Sequence, residues 1–183
     1  MPRVFLGLGS NAGDRRLHFL RAAYQQLAEM HELRVIDTSP LYETEPWERA
    51  PGTGADEQQW HLNCVIAVET TLSPAELLER VQAVEAVLER TRPPGTPEVR
   101  RFALHTMDID ILFYEDRVLS VPDDLHIPHL LLHEREFVLR PLADIAPDLR
   151  HPVLYQTIRE LLEELSAEHA VRPAPYPQRW FEG

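Results

Sequence analysis

The sequence has one cysteine, Cys64, in 183 residues, so no disulfide can close within the chain and a disulfide-stapled secreted scaffold is excluded. No apolar stretch approaches the roughly 20 residues of a membrane-spanning helix. The opening MPRVFLGLGSN lacks the longer apolar region and cleavage site of a signal peptide. Basic residues number 18 against 30 acidic ones, and the net charge of −12 argues against a nucleic-acid surface. No repeat of fixed period is visible. These absences predict a cytoplasmic protein with neither nucleic-acid nor membrane partners; protein partners are left unspecified.

What is present is ordinary for a globular chain. It is 44% hydrophobic and 26% charged, and long enough to bury a sizeable core as one domain. We read residues 1–171 as that domain. Residues 172–183 carry Pro173, Pro175 and Pro177 and are expected to form an extended, loosely packed tail.

VFLGLG (4–9) reads as a strand. The following segment places Leu17, Leu20, Tyr24, Leu27 and Met30 at helical spacing, with Asp14 as the expected N-cap. LRVIDTS (33–39) reads as a second strand and WHLNCVIAVET (60–70) as a third. Ser73 and Pro74 suit the N-cap and first position of a helix whose buried stripe is Leu77, Leu78, Val81, Val84 and Leu88. TMDIDILFYED (106–116) is the fourth long strand. Segments 48–59 and 91–101 read as irregular loops, expected to close over bound substrates. The order β-α-β-β-α-β predicts a ferredoxin-like α+β fold, an antiparallel sheet with helices on one face. Short helical pieces follow the sheet in 125–147 and 155–170.

Two carboxylates, Asp108 and Asp110, interrupt the apolar fourth strand. Residues i and i+2 of a strand share a face, so the pair projects together while Ile109 and Ile111 point under the helices. Two such charges repel unless a cation neutralises them, and Mg²⁺ commonly takes one or two carboxylates together with substrate phosphates. The alternative is two solvated acids on an open sheet face. Arg90, Arg92, Arg100 and Arg101 lie just before the pair, which favours a phosphate held between arginines and metal. His61 and Asn63 share one face of the third strand, where an amide can read a ring's hydrogen-bonding edge or bond to nearby backbone. His126, His129 and His133 have spacings that would suit a transition metal on a helix, but Pro128 interrupts the segment. GLGSNAGD has Ala12 where a G-x-G-x-x-G pattern needs its third glycine, and lacks the Gly-Lys of a P-loop; we read it as a tight strand-to-helix turn.

In order along residues 4–150, the stretches GLGSNAGD, SPLYETEPW, HLNCVIAVET, TMDIDILFY, IPH and REFVLRPLADIAP resemble the 6-hydroxymethyl-7,8-dihydropterin pyrophosphokinases of folate biosynthesis. The resemblance implies the same ferredoxin-like fold and a reaction: transfer of the β,γ-pyrophosphoryl group of ATP, the co-substrate, to the pterin's hydroxymethyl oxygen with release of AMP. It implies two Mg²⁺ ions on Asp108 and Asp110. It places the pterin against Thr44, Glu45, Trp47, His61, Asn63 and Phe137. On the nucleotide side it points to Gln82, Glu85, Arg92, Arg101, Ile111, His126, His129 and Arg135, with Arg92 and His105 acting on the triphosphate. Three positions depart from the family's pattern. His105 stands where an arginine is usual, His61 where a second aromatic ring sandwiches the pterin, and His126 where a threonine is usual. Two other readings follow from the same residues: a transition-metal hydrolase using the aspartates and histidines, and a nucleotide- or pterin-binding homologue without turnover.

Overall fold

The computed structural model describes residues 1–46, 60–89, 107–166 and 168–183. The expected loops 48–59 and 91–101 lie outside the described residues, as do Trp47, Arg92, Arg101 and His105.

Strand β1 (Arg3–Ser10) is the middle of the architecture. On one side it pairs with β4 (His61–Thr70) and on the other with β5 (Asp108–Tyr114), antiparallel in both cases. The outer edge of β4 is shared by two short strands. β2 (Leu33–Thr38) pairs with its C-terminal half and β3 (Tyr42–Thr44) with its N-terminal half. Pro40, which has no N–H to offer a ladder, falls between them. β8 (Val171–Pro173) adds itself to β3. The long strands therefore run β5-β1-β4-β2, the expected ferredoxin-like order, and a separate hairpin joins β6 (Leu119–Val121) to β7 (Leu125–Ile127).

Period-two alternation sorts the sheet's side chains onto two cores. Val4, Leu6 and Leu8 of β1, with Leu62, Cys64, Ile66 and Val68 of β4 and Ile109 and Ile111 of β5, face α1 (Arg16–Ala28) and α2 (Pro74–Glu89). Phe5, Val65, Ala67, Leu112 and Phe113 face α3 (Glu136–Ile145) and α4 (Ile158–Glu164). The C-terminal helices thus cover the far end of the face opposite α1 and α2. A register shift between Phe5 and Leu6 sends Leu112 and Phe113 to the same side. This second core ends where the Asp pair begins, leaving both carboxylates exposed.

Local signals account for most helix boundaries. Ser73 Oγ accepts from the Glu76 N–H and Glu76 Oε2 accepts from the Ser73 N–H, a reciprocal capping box that starts α2 as expected. Thr157 and Glu160 do the same for α4. Helix α1 differs from the expectation. Asp14 does not cap it; Gly13–Arg15 forms a 3₁₀ turn first, reached through Gly13 at φ +61°, and α1 begins at Arg16 without a side-chain cap. Residues 125–127, expected to be helical, are strand.

The segment from Arg172 is extended, as its prolines predict, but it is not loosely packed. Trp180 is fully buried in the first core, and its Nε1 donates to the Ser39 carbonyl at 3.0 Å. Its own carbonyl accepts from Arg21 Nε at 2.6 Å. Tyr24 meets Trp180 edge-on at 5.8 Å and stacks on Phe181 at 4.7 Å. Proline content announced the extended backbone, while the anchoring aromatic is a long-range contact that composition does not reveal. Trp180→Ala is expected to lower folding stability by about 3–5 kcal/mol in a urea titration; a loss under about 1 kcal/mol would show that the tail is not part of the core.

Candidate active site

The bare end of the β1–β5 face collects the residues that carry chemistry. Gly9 of β1 pairs with Asp108 on one side and with Asn63 on the other, and Gly7 pairs with Asp110. Directly opposed residues in an antiparallel ladder share a face, so Asp108, Asp110, Asn63 and the two glycines look the same way. The alternation expected of the fourth strand is present: Asp108 and Asp110 are exposed while Ile109 and Ile111 are buried at 4%.

Asn63 is 7% exposed, with its amide oxygen over Gly9 of β1. A Cβ on Gly9 would stand 2.4 Å from Asn63 Oδ1, so only glycine admits the amide there. At its other end Asn63 Nδ2 donates to Thr44 Oγ1 at 2.6 Å. The expectation that Asn63 and His61 share a face is met by the strand's alternation, with Thr44 opposite His61 across the ladder. One position inward, Tyr42 pairs with Asn63, and its hydroxyl donates to Asp144 Oδ2 at 2.5 Å. Burial, with that carboxylate beside it, pushes the Tyr42 hydroxyl up to about 12, so it stays a donor. This bond ties the last turn of α3 to β3, and Phe137 lies in the first turn of the same helix.

Phe137 borders a cavity of about 210 Å³ with Thr44, Glu45, Leu165, His169 and Val171 on its other walls. The Glu45 N–H donates to the Ala170 carbonyl, and Glu45 Oε2 accepts from the Ala170 N–H at 3.1 Å. The C-terminal segment therefore supplies one wall, a contribution that the sequence reading missed. The Arg135 guanidinium sits 5.7 Å from the Phe137 ring centroid.

The outer edge of β5 is where the second group of expected residues meets. Glu85, on α2, accepts from the Ile109 N–H at 2.6 Å, so its carboxylate reaches the strand between the two aspartates. Burial pushes Glu85 up to about 7; the Ile109 N–H pulls it down and the Asp108 and Asp110 charges push it further up. Gln82 lies on the same helix one turn earlier, exposed. The His129 N–H donates to the Leu112 carbonyl at 3.0 Å, docking the turn after β7 onto β5. Burial holds His129 below the usual imidazole range, Asp110 draws it back up, and Arg135 and His126 depress it further. Ile111 does not offer its side chain to this edge; it is buried under α1 and α2, so only its main chain can meet a ligand.

The three histidines do not form the helical constellation their spacing allows. His126 lies in β7 with Nδ1 2.9 Å from Ser120 Oγ, His129 follows a cis Ile127–Pro128 bond, and His133 sits in a 3₁₀ turn beside His151. Among the described residues no three His, Cys, Asp or Glu side chains converge as metal ligands. Asp108 and Asp110 by themselves suit a hard cation that fills its remaining positions with water and phosphate oxygens, as Mg²⁺ does. The expected strand-to-helix turn accounts for Gly13 alone. Gly7 and Gly9 are strand residues, and their spacing of two opposite an asparagine was the available signal for a bare sheet face.

A sequence profile of the family described as 7,8-dihydro-6-hydroxymethylpterin-pyrophosphokinase (HPPK) matches residues 5–147. The 2-amino-4-hydroxy-6-hydroxymethyldihydropteridine pyrophosphokinase of Methylorubrum extorquens is 41% identical over 165 residues, 90% of this chain and 94% of its own. The protein of the same name from Aquifex aeolicus is 35% identical over 173 residues, 94% of this chain and 96% of its own. In fold, wild-type Plasmodium falciparum HPPK-DHPS superposes with a TM-score of 0.65 at 19% identity, over 89% of this chain. This chain spans 41% of that longer one.

Glu85 carries a testable pH signature. In the unfolded chain it loses its proton near 4.5, in the folded protein near 7, so the folded state binds the proton more tightly. Its contribution to stability is therefore full below pH 4.5 and is lost as pH rises through about 7. Glu85→Gln is expected to remove this component, on the order of 1–2 kcal/mol after solvent screening, from the stability difference between about pH 5 and pH 8. Parallel pH profiles for wild type and variant in urea titrations would refute the assignment.

Proposed function

Because the chain belongs to the 7,8-dihydro-6-hydroxymethylpterin-pyrophosphokinase family, we propose that the face shared by Asp108, Asp110 and Asn63 is where its two substrates meet. The protein is an enzyme of folate biosynthesis that transfers a pyrophosphoryl group from ATP to hydroxymethyldihydropterin. The observation that carries the site assignment is the single row Asp108–Gly9–Asn63 across three strands. It puts Asp108, with Asp110 two residues along the same strand, on one surface with a ring-reading amide, joined through a glycine.

The residues divide the work by chemistry. The pterin is a flat ring with a polar edge; Asn63 and Thr44 supply matching polar groups, Phe137 an aromatic face, and Glu45 the pocket wall. His61 is close enough in the ladder to cover the ring's other face. The triphosphate belongs on the β5 side, near Arg135, His129, His126, Glu85, Gln82 and the main chain of Ile111. Arg92, Arg101 and His105, together with Trp47 on the pterin side, are assigned by the family resemblance alone. Asp108 and Asp110 would hold Mg²⁺, which when bound neutralises phosphate charge and orients the transferred group. Without cations, two carboxylates facing a triphosphate would repel it, which supports reading the acidic pair as a cation platform.

Positioning then accounts for catalysis. The hydroxymethyl oxygen must approach the phosphorus in line, and a ring fixed at Asn63 and stacked on Phe137 restricts its arm to the strip above Gly9. His129, which burial holds below the usual imidazole range while Asp110 draws it back up, offers its ring on the phosphate side of the site.

The decisive assay follows AMP released from ATP with Mg²⁺ and hydroxymethyldihydropterin; folded protein that releases none would overturn the reading. Asp108→Asn and Asp110→Asn are each expected to reduce transfer by at least about 10²-fold. Both side chains are exposed, so the thermal unfolding midpoint should hardly move. Near-wild-type turnover in either variant would remove that residue from the cation platform.

A further inference from the structure

Arg16, the first residue of α1, has a side chain only 12% exposed, and each nitrogen of its guanidinium serves a different stretch of chain. Nε donates to the Gly13 carbonyl at 3.1 Å, in the turn that leaves β1. Nη1 donates to the Trp60 carbonyl at 2.7 Å, where the chain enters β4. Nη2 donates to Glu43 Oε1 at 3.3 Å, on β3. The other oxygen, Glu43 Oε2, accepts from Arg172 Nε of β8 at 3.0 Å, and the Arg172 guanidinium covers the Trp60 ring at 4.3 Å. Glu43 is therefore held between two arginines, with its own side chain 15% exposed.

The partners of Arg16 are the neighbours of site residues. Trp60 immediately precedes His61 and Glu43 immediately precedes Thr44, and Thr44 and His61 oppose each other across the β3–β4 ladder. Along β3, Tyr42 and Thr44 share one face, so Glu43 points to the other, where it is opposed to Leu62 of the first core. Arg16 thus works from behind the sheet. β3 is three residues long and brings few ladder bonds of its own to set its place. A guanidinium fixes the directions of several donors at once, which an ammonium does not.

We propose that Arg16 is a positioning residue for the ring: from the reverse face it sets how β3 and β4 hold Thr44 and His61 relative to one another. Its partners lie on the turn after β1, on β3 and at the start of β4, whereas the nucleotide side is built on α2, β5 and the turn after β7. Its loss therefore falls on one substrate. The inference rests on the pterin reading above and adds a residue that acts on the ring through its neighbours.

The test measures two affinities by calorimetry with Mg²⁺ present. A non-hydrolysable ATP analogue is titrated first, and 6-hydroxymethyl-7,8-dihydropterin is then titrated into protein saturated with the analogue. Arg16→Met keeps the reach of the side chain and removes every donor. It is expected to weaken the pterin by roughly ten-fold, the worth of one charge-assisted hydrogen bond, and to leave the analogue within about two-fold. Arg16→Lys keeps a charge beside Glu43 without the fork, so it preserves the fold and is expected to weaken the pterin alone by roughly three-fold or more. Arg34→Met, which removes an ion pair with Glu69 at the other end of β4, should change neither affinity. Folded Arg16 variants that bind both ligands as wild type does, or lose both equally, overturn the inference. So does an Arg34→Met protein with the same selective loss, and so does an Arg16→Lys protein that fails to fold, since Arg16 would then serve the scaffold alone. A folded wild type that binds no pterin overturns the functional reading itself, which separates the two failures.

Discussion

Everything at the site depends on β1 being packed on one face and carrying glycines instead of larger side chains at the far end of the other. Val4, Leu6 and Leu8 fill the core under α1 and α2, and a strand with three such anchors cannot slip by one residue without exposing them all. That locks Gly7 and Gly9 outward, and two side chains the size of a hydrogen atom leave a trough between β4 and β5. Asn63 leans into this trough from one bank and the aspartates stand on the other. A side chain at Gly9 would run into Asn63 Oδ1, and one at Gly7 would meet the Leu112 side chain.

The electrostatics follow from the same geometry. A chain with net charge −12 concentrates three carboxylates, Asp108, Asp110 and Glu85, along a short length of β5. Their mutual repulsion is relieved on one side by the Ile109 N–H and by the raised proton affinity of Glu85. Opposite charge comes from arginine alone, since all 18 basic residues are arginines. A guanidinium is always charged and presents planar, paired donors, which suits phosphate oxygens better than a titratable amine would. An acidic protein can therefore attract a polyanion locally while its surface at large repels one.

Much of this was legible in the residues themselves. The two-residue spacing of Asp108 and Asp110 within an apolar run fixed their common face, and the same rule paired His61 with Asn63. Ser73-Pro74 marked the start of α2 because capping is local chemistry. The order of long elements was enough for the ferredoxin-like topology, and six motifs in register were enough for the family. Other features were hidden for identifiable reasons. β3, β6, β7 and β8 are three residues each, too short for any periodicity to show. The start of α1 was misplaced because a glycine at positive φ inserted a 3₁₀ turn between Asp14 and the helix. Gly9 resembled turn chemistry in the sequence, and only its partner across the ladder revealed its use. Trp180 carries no pattern at all; its burial depends on Ser39, Arg21 and Tyr24, more than a hundred positions away.

That distant anchoring has a consequence for the order in which the site comes into being. The cavity beside Phe137 is walled by residues 165–171, and these are held by β8 zipping onto β3 and by Trp180 seating behind Ser39. During synthesis the sheet, its glycine trough and both aspartates have emerged well before Trp180 is added. A growing chain therefore holds its acidic pair before the cavity beside Phe137 has all its walls. Chains made only as far as β5 carry the acidic pair without the wall that residues 165, 166, 168, 169 and 171 add beside Phe137.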